Sequence, residues 1–83
     1  MGKHYPLLDQ EQVETILDSL KFSPKRQSGS HCQWEGYTNG VRRIVTVDHL
    51  KKGRKEKYSH RLLSKMIQQS GLPKKDFYSM LGF

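Results

Sequence analysis

Residues 31–47, "HCQWEGYTNGVRRIVTV", decide the fold class of this chain, because they predict a β-hairpin with a tight turn. In the first arm, "HCQWE", polar and apolar side chains alternate with the period of two that a half-buried strand shows. Asn39-Gly40, between the arms, is a strong signal for a hairpin turn. The second arm, "VRRIVTV", is rich in the β-branched residues that favour strands. We therefore expect two antiparallel strands at the centre of the domain.

The alternation also assigns side chains to the two faces of the predicted sheet. Cys32 and Trp34 fall on one face, whereas His31 and Gln33 fall on the other. An exposed Trp34 would be able to stack on a nucleic-acid base, but its predicted inward side favours packing in the core. His31 is therefore expected to point away from the core, on an open face.

A third strand is predicted immediately upstream of the hairpin. The segment "FSPKRQ", residues 22–27, reads as a short basic strand. Pro24 places this strand near an edge of the sheet, because proline has no N–H to donate to a neighbouring strand. Residues 28–30, "SGS", then form the turn into the hairpin.

Two amphipathic helices flank the strands. Helix 1 is predicted over residues 10–21, where Asp9 and Gln12 make a capping-box pattern at its start. Helix 2 is predicted to begin after the capping residue Ser59, and Gly71 suits the position just past its end. Each helix has an apolar stripe at helical spacing, formed by Val13, Ile16, Leu17 and Leu20 in the first and by Leu62, Leu63, Met66 and Ile67 in the second.

The chain ends in a third, shorter helix, with Pro73 in its first turn and Phe77, Met80 and Leu81 as its apolar residues. The predicted order is α-β-β-β-α with this extra helix. Short turns between strands give an antiparallel sheet, and the striped helices must cover one of its faces. We therefore predict an α+β fold in which residues 1–83 form a single domain.

Positive charge is concentrated in the part of the chain that follows helix 1. The 83 residues have a net charge of +7, yet residues 1–20 hold one Lys against four acidic side chains. Residues 21–83 hold the other fourteen Lys and Arg against four acidic side chains. A local excess of this kind favours a polyanionic partner, most often nucleic acid, although a solvated basic surface is the plainer interpretation.

Several classes of protein and site are not expected. Cys32 is the only cysteine, which excludes an internal disulfide and a cysteine-based zinc site and fits a reducing, cytoplasmic location. No apolar run approaches the ~20 residues of a membrane span, and the first ten residues do not resemble a signal peptide. No pair of histidines has the helical spacing of a zinc site, so that we expect neither metal nor cofactor.

A set of residues spaced along the chain comprises Phe22, Arg26-Gln27, Gly29-Ser30-His31, Thr46-Val47, His49, Leu63, Ile67 and Gly71-Leu72. With this pattern the chain resembles the HicA toxin family over most of its length, from about Val13 to Phe77. Members commonly have Val-Pro-x-His after the third strand, where this chain has Val47-Asp48-His49, so that no family role is carried over to His49. A glycine often precedes the aromatic residue after helix 1, and here that position is Lys21.

The resemblance implies a fold like that of the double-stranded-RNA-binding domain, in which a histidine, here His31, cleaves messenger RNA. It also implies a HicB-like antitoxin protein as the inhibitor. Chemistry agrees with a histidine, because RNA supplies its own nucleophile, the 2′-hydroxyl, and an imidazole with a pKa of about 6.5 exchanges protons near neutral pH. Nearby cations would favour the neutral, basic ring. The expected RNA-binding residues are Lys25, Arg26, Gly29, Ser30, Arg42, Arg43, Lys51, Lys52, Arg54 and Lys55.

Other interpretations of the same residues stay open. One alternative is that His31 is a hydrogen-bonded turn residue without a catalytic role. Others are that the domain binds RNA without cutting it, or that it binds an acidic protein. Tyr37 and Tyr58 are candidates for exposed aromatic residues that stack on bases. His60 is most simply a solvated residue at the start of helix 2. His49 lies near the basic loop, where it is a candidate for a contact to phosphate.

Overall fold

The computed structural model describes residues 5–50 and 56–83. Three helices and three strands follow the predicted order, and they are α1 (Gln10–Ser19), β1 (Ser23–Ser28), β2 (His31–Thr38), β3 (Val41–Asp48), α2 (His60–Ser70) and α3 (Lys74–Ser79). The strands form one antiparallel sheet in the order β1-β2-β3. The protein is thus a small α+β fold, as the sequence predicts. Within the described residues, no helix is long and apolar enough to cross a membrane.

The β2–β3 hairpin is closed by a two-residue turn. Asn39 and Gly40 both have positive φ, 52° and 78°, which matches the right-handed twist of the strands they connect. All eight residues of β2 pair with β3, from Thr38 opposite Val41 to His31 opposite Asp48. The first arm therefore extends three residues beyond the predicted "HCQWE".

Strand β1 lies at the edge of the sheet, as Pro24 predicts, and contains an irregularity. Its register against β2 shifts between Pro24 and Arg26, which leaves Lys25 as an extra residue. An extra residue breaks the alternation of a strand, so that consecutive side chains need not point to opposite faces.

The ends of the two longer helices are set by the predicted capping residues. At the start of α1, the Asp9 carboxylate accepts the Gln12 backbone N–H at 2.8 Å, and the Gln12 side chain accepts the Asp9 N–H at 3.0 Å. Ser59 Oγ accepts the Leu62 N–H at 3.2 Å, and Gly71 ends α2 with a φ of 77°.

The helix bounds differ from the prediction at two places. Helix α1 ends at Ser19, two residues before the predicted end. Pro73 is the residue before α3 instead of part of its first turn, and Met80 lies beyond the end of that helix with 39% of its surface exposed. Pro73 has extended dihedral angles, and such a residue precedes a helix without belonging to it.

The helices cover one face of the sheet and bury the side chains predicted to point inward. Cys32 and Trp34 are buried, at 6% and 8% exposure, which confirms both predictions. They join one continuous core that also contains Leu8, Val13, Ile16, Leu17, Phe22, Val45, Val47, Tyr58, Leu63, Met66, Ile67, Phe77 and Tyr78. The other face of the sheet carries the exposed side chains of β2.

Replacing Lys21 by glycine is expected to raise the free energy of unfolding by about 1 kcal/mol. Lys21 follows α1 with a φ of 67°, a left-handed conformation that glycine adopts without the steric cost paid by a side chain. Urea denaturation of Lys21→Gly measures the change. Lys65→Gly is the matched control, because Lys65 is an exposed residue inside α2, where glycine should instead destabilise by about 1 kcal/mol. A destabilised Lys21→Gly variant would contradict the assignment.

Candidate functional site

The open face of the sheet is formed by alternate residues of β2 and their partners on β3. His31, Gln33, Glu35 and Tyr37 follow one another along β2 on this face. The register places them opposite Asp48, Thr46, Ile44 and Arg42, respectively. Because β2 is the central strand, these side chains form the middle of the surface.

His31 lies at one end of this row, directly after the turn of residues 28–30. Gly29 has a φ of 58°, so the turn uses the left-handed conformation that glycine permits. The His31 side chain is 56% exposed, which confirms its outward direction. Its Nε2 lies 3.1 Å from Asp48 Oδ1, and its Nδ1 lies 3.4 Å from Ser30 Oγ.

Asp48 is held in place opposite His31 by a buried tyrosine. The Tyr58 hydroxyl donates to the Asp48 carbonyl oxygen at 2.5 Å, and the Tyr58 N–H donates to the Leu8 carbonyl at 2.8 Å. Burial, with a smaller contribution from carboxylates that include Asp48, raises the pKa of Tyr58 above its ordinary value of about 10. Tyr58 therefore remains a protonated donor at neutral pH.

The prediction that Tyr58 is an exposed aromatic residue is wrong. Only 1% of its surface is accessible, because it packs in the core between the end of β3 and the segment before α1. Tyr37, by contrast, is 67% exposed, as predicted.

Among the described residues, shallow grooves lie on the open face, and two of them adjoin. The first, of about 260 Å³, contains His31 and is lined by Arg26, Ser28, His31, Gln33 and Thr46. The second, of about 300 Å³, is lined by Lys25, Arg26, Gln33, Glu35, Arg42 and Ile44. Arg26 and Gln33 line both grooves, so that the two adjoin and form one surface along β2.

The structure brings some of the predicted RNA-binding residues to His31 and separates others from it. Arg26 shares its groove, Lys25 and Arg42 line the adjoining one, and Gly29 and Ser30 form the preceding turn. Arg42 is paired with the Glu35 carboxylate. The other residues predicted to bind RNA lie outside the described residues, and they are Lys51, Lys52, Arg54 and Lys55.

Arg43 is not brought to the open face. Arg43 is paired with Gly36, a residue of β2 that faces the core. Its side chain reaches Gly71, because a Cβ added at Gly71 would lie 2.6 Å from Arg43 Nε. Arg43 therefore runs beside the C-terminal end of α2, where a cation interacts favourably with the helix dipole. Neighbouring residues of a regular strand point to opposite faces, and this separates Arg43 from Arg42.

Asp48 is the residue of the site that sequence reasoning missed. The signal for it was present, because a two-residue turn at Asn39-Gly40 fixes the pairing of every residue that precedes it. Counting back from the turn places His31 opposite Asp48. A carboxylate thus lies beside the imidazole, together with the cation Arg26 that the sequence predicted near it.

The remaining histidines described by the structure lie apart from the open grooves. The His49 N–H donates to the Ser30 carbonyl at 2.7 Å and so ties the end of β3 to the turn before His31. His60 is exposed at the first position of α2. Among residues 5–50 and 56–83, no group of three or more His, Cys, Asp or Glu side chains is placed to hold a metal ion.

Comparison of the chain with protein-family models, curated proteins and solved structures finds no match. The chemistry of the site is therefore inferred from its own geometry. A neutral imidazole whose Nε2–H donates to Asp48 presents Nδ1 as a proton acceptor. Arg26, in the same groove, supplies a permanent positive charge. Together they can transfer a proton next to a bound anion.

Proposed function

We propose that this protein is an endoribonuclease that cleaves messenger RNA with His31 as general acid and base, and that it acts as the toxin of a toxin–antitoxin pair. The observation that supports the proposal is the exposed His31, paired with Asp48 and lying in one groove with Arg26. The resemblance of the sequence to HicA toxins supplies the biological context.

In the proposed reaction, the 2′-oxygen of a ribose attacks the adjacent phosphorus atom and the bond to the 5′-oxygen breaks. His31 Nδ1 accepts the proton of the 2′-hydroxyl as general base. The imidazolium then gives that proton to the departing 5′-oxygen as general acid, so that the ring returns to its neutral form. The products are a 2′,3′-cyclic phosphate and a free 5′-hydroxyl. Arg26 offsets the negative charge that builds up on the phosphate oxygens. Because the nucleophile belongs to the RNA, the reaction as written needs no metal-bound water.

The proposal also assigns the fold to the type of the double-stranded-RNA-binding domain. The element order α-β-β-β-α, with an antiparallel sheet covered by helices, supports this assignment. Such a domain is able to bind RNA without cutting it, and that is the alternative function. The His31–Asp48 pair favours cleavage, because a module that only binds phosphate has no need of a carboxylate beside its histidine.

We expect the inhibitory partner to be a HicB-like antitoxin that covers the open face. An acidic protein surface would be attracted by Lys25 and Arg26 and would bury His31. Such a complex should protect RNA from cleavage.

Purified protein is expected to cleave an end-labelled single-stranded RNA at the same rate with and without a chelator. Replacing the ribose at a cleaved position by 2′-deoxyribose should abolish cleavage there, because that sugar lacks the nucleophile. Gel electrophoresis and mass spectrometry of the fragments measure the cut positions and the cyclic phosphate.

The same RNA with the deoxyribose placed at an uncut position serves as the control. Cleavage at the deoxy position, or cleavage that stops on chelation, would contradict the proposed mechanism. Binding without any cleavage would favour the alternative function.

A further inference from the structure

The second groove contains a feature that the proposed reaction does not use, the ion pair of Glu35 and Arg42. Both side chains lie on the open face, with Glu35 25% and Arg42 59% exposed. The pair joins Arg42 Nε to Glu35 Oε2. Each carboxylate oxygen has two lone pairs, and the guanidinium has further N–H groups, so that both side chains retain capacity for a ligand.

Charge is distributed unevenly across this groove. Strand β1 contributes Lys25 and Arg26, which form no ion pair with the residues that the structure describes. Strands β2 and β3 contribute Gln33, Glu35, Arg42 and Ile44. Cations position the phosphates of a nucleic acid, and amide, carboxylate and guanidinium groups read base edges. An RNA strand with its backbone along β1 would therefore lay its bases over β2 and β3. Only an unpaired strand exposes its bases in this way.

The paired carboxylate and guanidinium match the edge of one base. Guanine presents two adjacent donors, N1–H and N2–H, next to the acceptor O6. A carboxylate accepts the two donors in parallel, and a neighbouring guanidinium donates to O6. Uracil, cytosine and adenine each lack the pair of adjacent donors.

Tyr37 completes the arrangement with an aromatic surface. It lies two residues beyond Glu35 on the same face and is 67% exposed. Side chains two residues apart on a strand are separated by about 7 Å. A base held by Glu35 and Arg42 is then within reach of the Tyr37 ring, and stacking on an aromatic side chain favours an unpaired base.

We infer that the second groove binds an unpaired guanine of the RNA, about 13 Å along β2 from His31. Glu35 and Arg42 read the base, Tyr37 stacks on it, and Lys25 and Arg26 bind the backbone. The inference rests on the proposed function for its ligand, single-stranded RNA, but it does not require cleavage.

The test is the binding of four uncleavable oligonucleotides by the intact protein. They are 2′-O-methyl oligouridylates in which one central position is G, A, C or U, and fluorescence anisotropy measures their affinities. The G-containing strand is expected to bind about tenfold more tightly than the other three. Glu35→Gln should reduce this preference to less than about threefold, because an amide has a single acceptor oxygen.

Lys25→Ala is the matched control on the other side of the groove. It should weaken binding of all four strands equally and reduce the slope of log K against log salt by about 1, with the preference for G unchanged. Equal affinities for the four strands, or a preference that survives Glu35→Gln, would overturn the inference while leaving the proposed ribonuclease intact. Failure to bind any strand would contradict RNA binding itself and thus both proposals.

Discussion

His31→Ala is expected to lower the rate of RNA cleavage by a factor of about 10²–10⁴, the usual contribution of a positioned general acid or base. His31 is the imidazole that shares a groove with Arg26, and methyl cannot exchange a proton in its place. The side chain is more than half exposed and packs in no core, so that the variant should fold normally. Initial rates on a labelled RNA, with circular dichroism as a folding check, measure the effect.

His60→Ala is the matched control for this substitution. His60 is likewise an exposed histidine, but it begins α2 and lines neither groove of the open face. Its removal should leave the cleavage rate within about twofold of that of the parent protein, because an exposed side chain outside the site contributes little to folding and nothing to proton transfer. A His31→Ala protein that still cleaves RNA at near the parent rate would refute the assignment of His31.

Asp48→Asn tests the role of the carboxylate in the same reaction. Asp48 acts through His31, as a positioning residue that fixes which ring nitrogen bears the proton. We expect kcat to fall by about tenfold or more with little change in KM. The Asn variant keeps the backbone carbonyl that Tyr58 contacts, so that its free energy of unfolding should stay unchanged. An unaltered kcat would show that the contact between His31 and Asp48 is only structural.

Phe22→Ala is expected to lower the free energy of unfolding by about 3–5 kcal/mol. Phe22 joins α1 to β1, is 2% exposed and lies over Gly36 on the inner face of β2. The loss is a large part of the 5–15 kcal/mol that stabilises a typical domain. Urea or thermal denaturation measures it. Phe83→Ala is the control, because Phe83 is 45% exposed and its truncation should cost less than about 1 kcal/mol.

The contact between Phe22 and Gly36 can be tested separately by a double-mutant cycle. A Cβ added at Gly36 would lie 2.4 Å from the Phe22 ring, so that Gly36→Ala should destabilise by about 1–3 kcal/mol. In a Phe22→Leu background the ring is absent and the same substitution should cost less. The double variant should therefore be destabilised by less than the sum of the two single variants. If the two losses of unfolding free energy simply add, the close contact is contradicted.

Much of the fold follows from patterns confined to a few neighbouring residues. The capping box of Asp9 and Gln12, the cap at Ser59 and the turn at Asn39-Gly40 involve side chains and backbone groups within one turn, and all three are confirmed. The alternation along β2 correctly places Trp34 inside and His31 outside, because successive residues of a strand point to opposite faces. These features need no knowledge of distant contacts.

Local sequence patterns do not predict the position of residues whose surroundings depend on distant parts of the chain. Arg42 and Arg43 are equivalent as charges in the sequence, yet one lies on the open face and the other beside α2. Tyr58 stands next to a charged segment, which suggests exposure, but a hydrogen bond to Leu8, fifty residues earlier, helps to hold it in the core. Lys25 and Arg26 line one groove because β1 contains an extra residue, and the sequence carries no clear signal for it.

The sequence by itself determined the order of the elements, the faces of β2 and the exposure of His31, because each depends on periodicity or capping within one segment. The tertiary structure alone decided which groups surround His31. The pairing with Asp48, the support from Tyr58 and the two adjoining grooves all join residues far apart in the chain. Strand register, an irregularity in β1 and burial between elements set these contacts, and each is a property of the assembled sheet and helices.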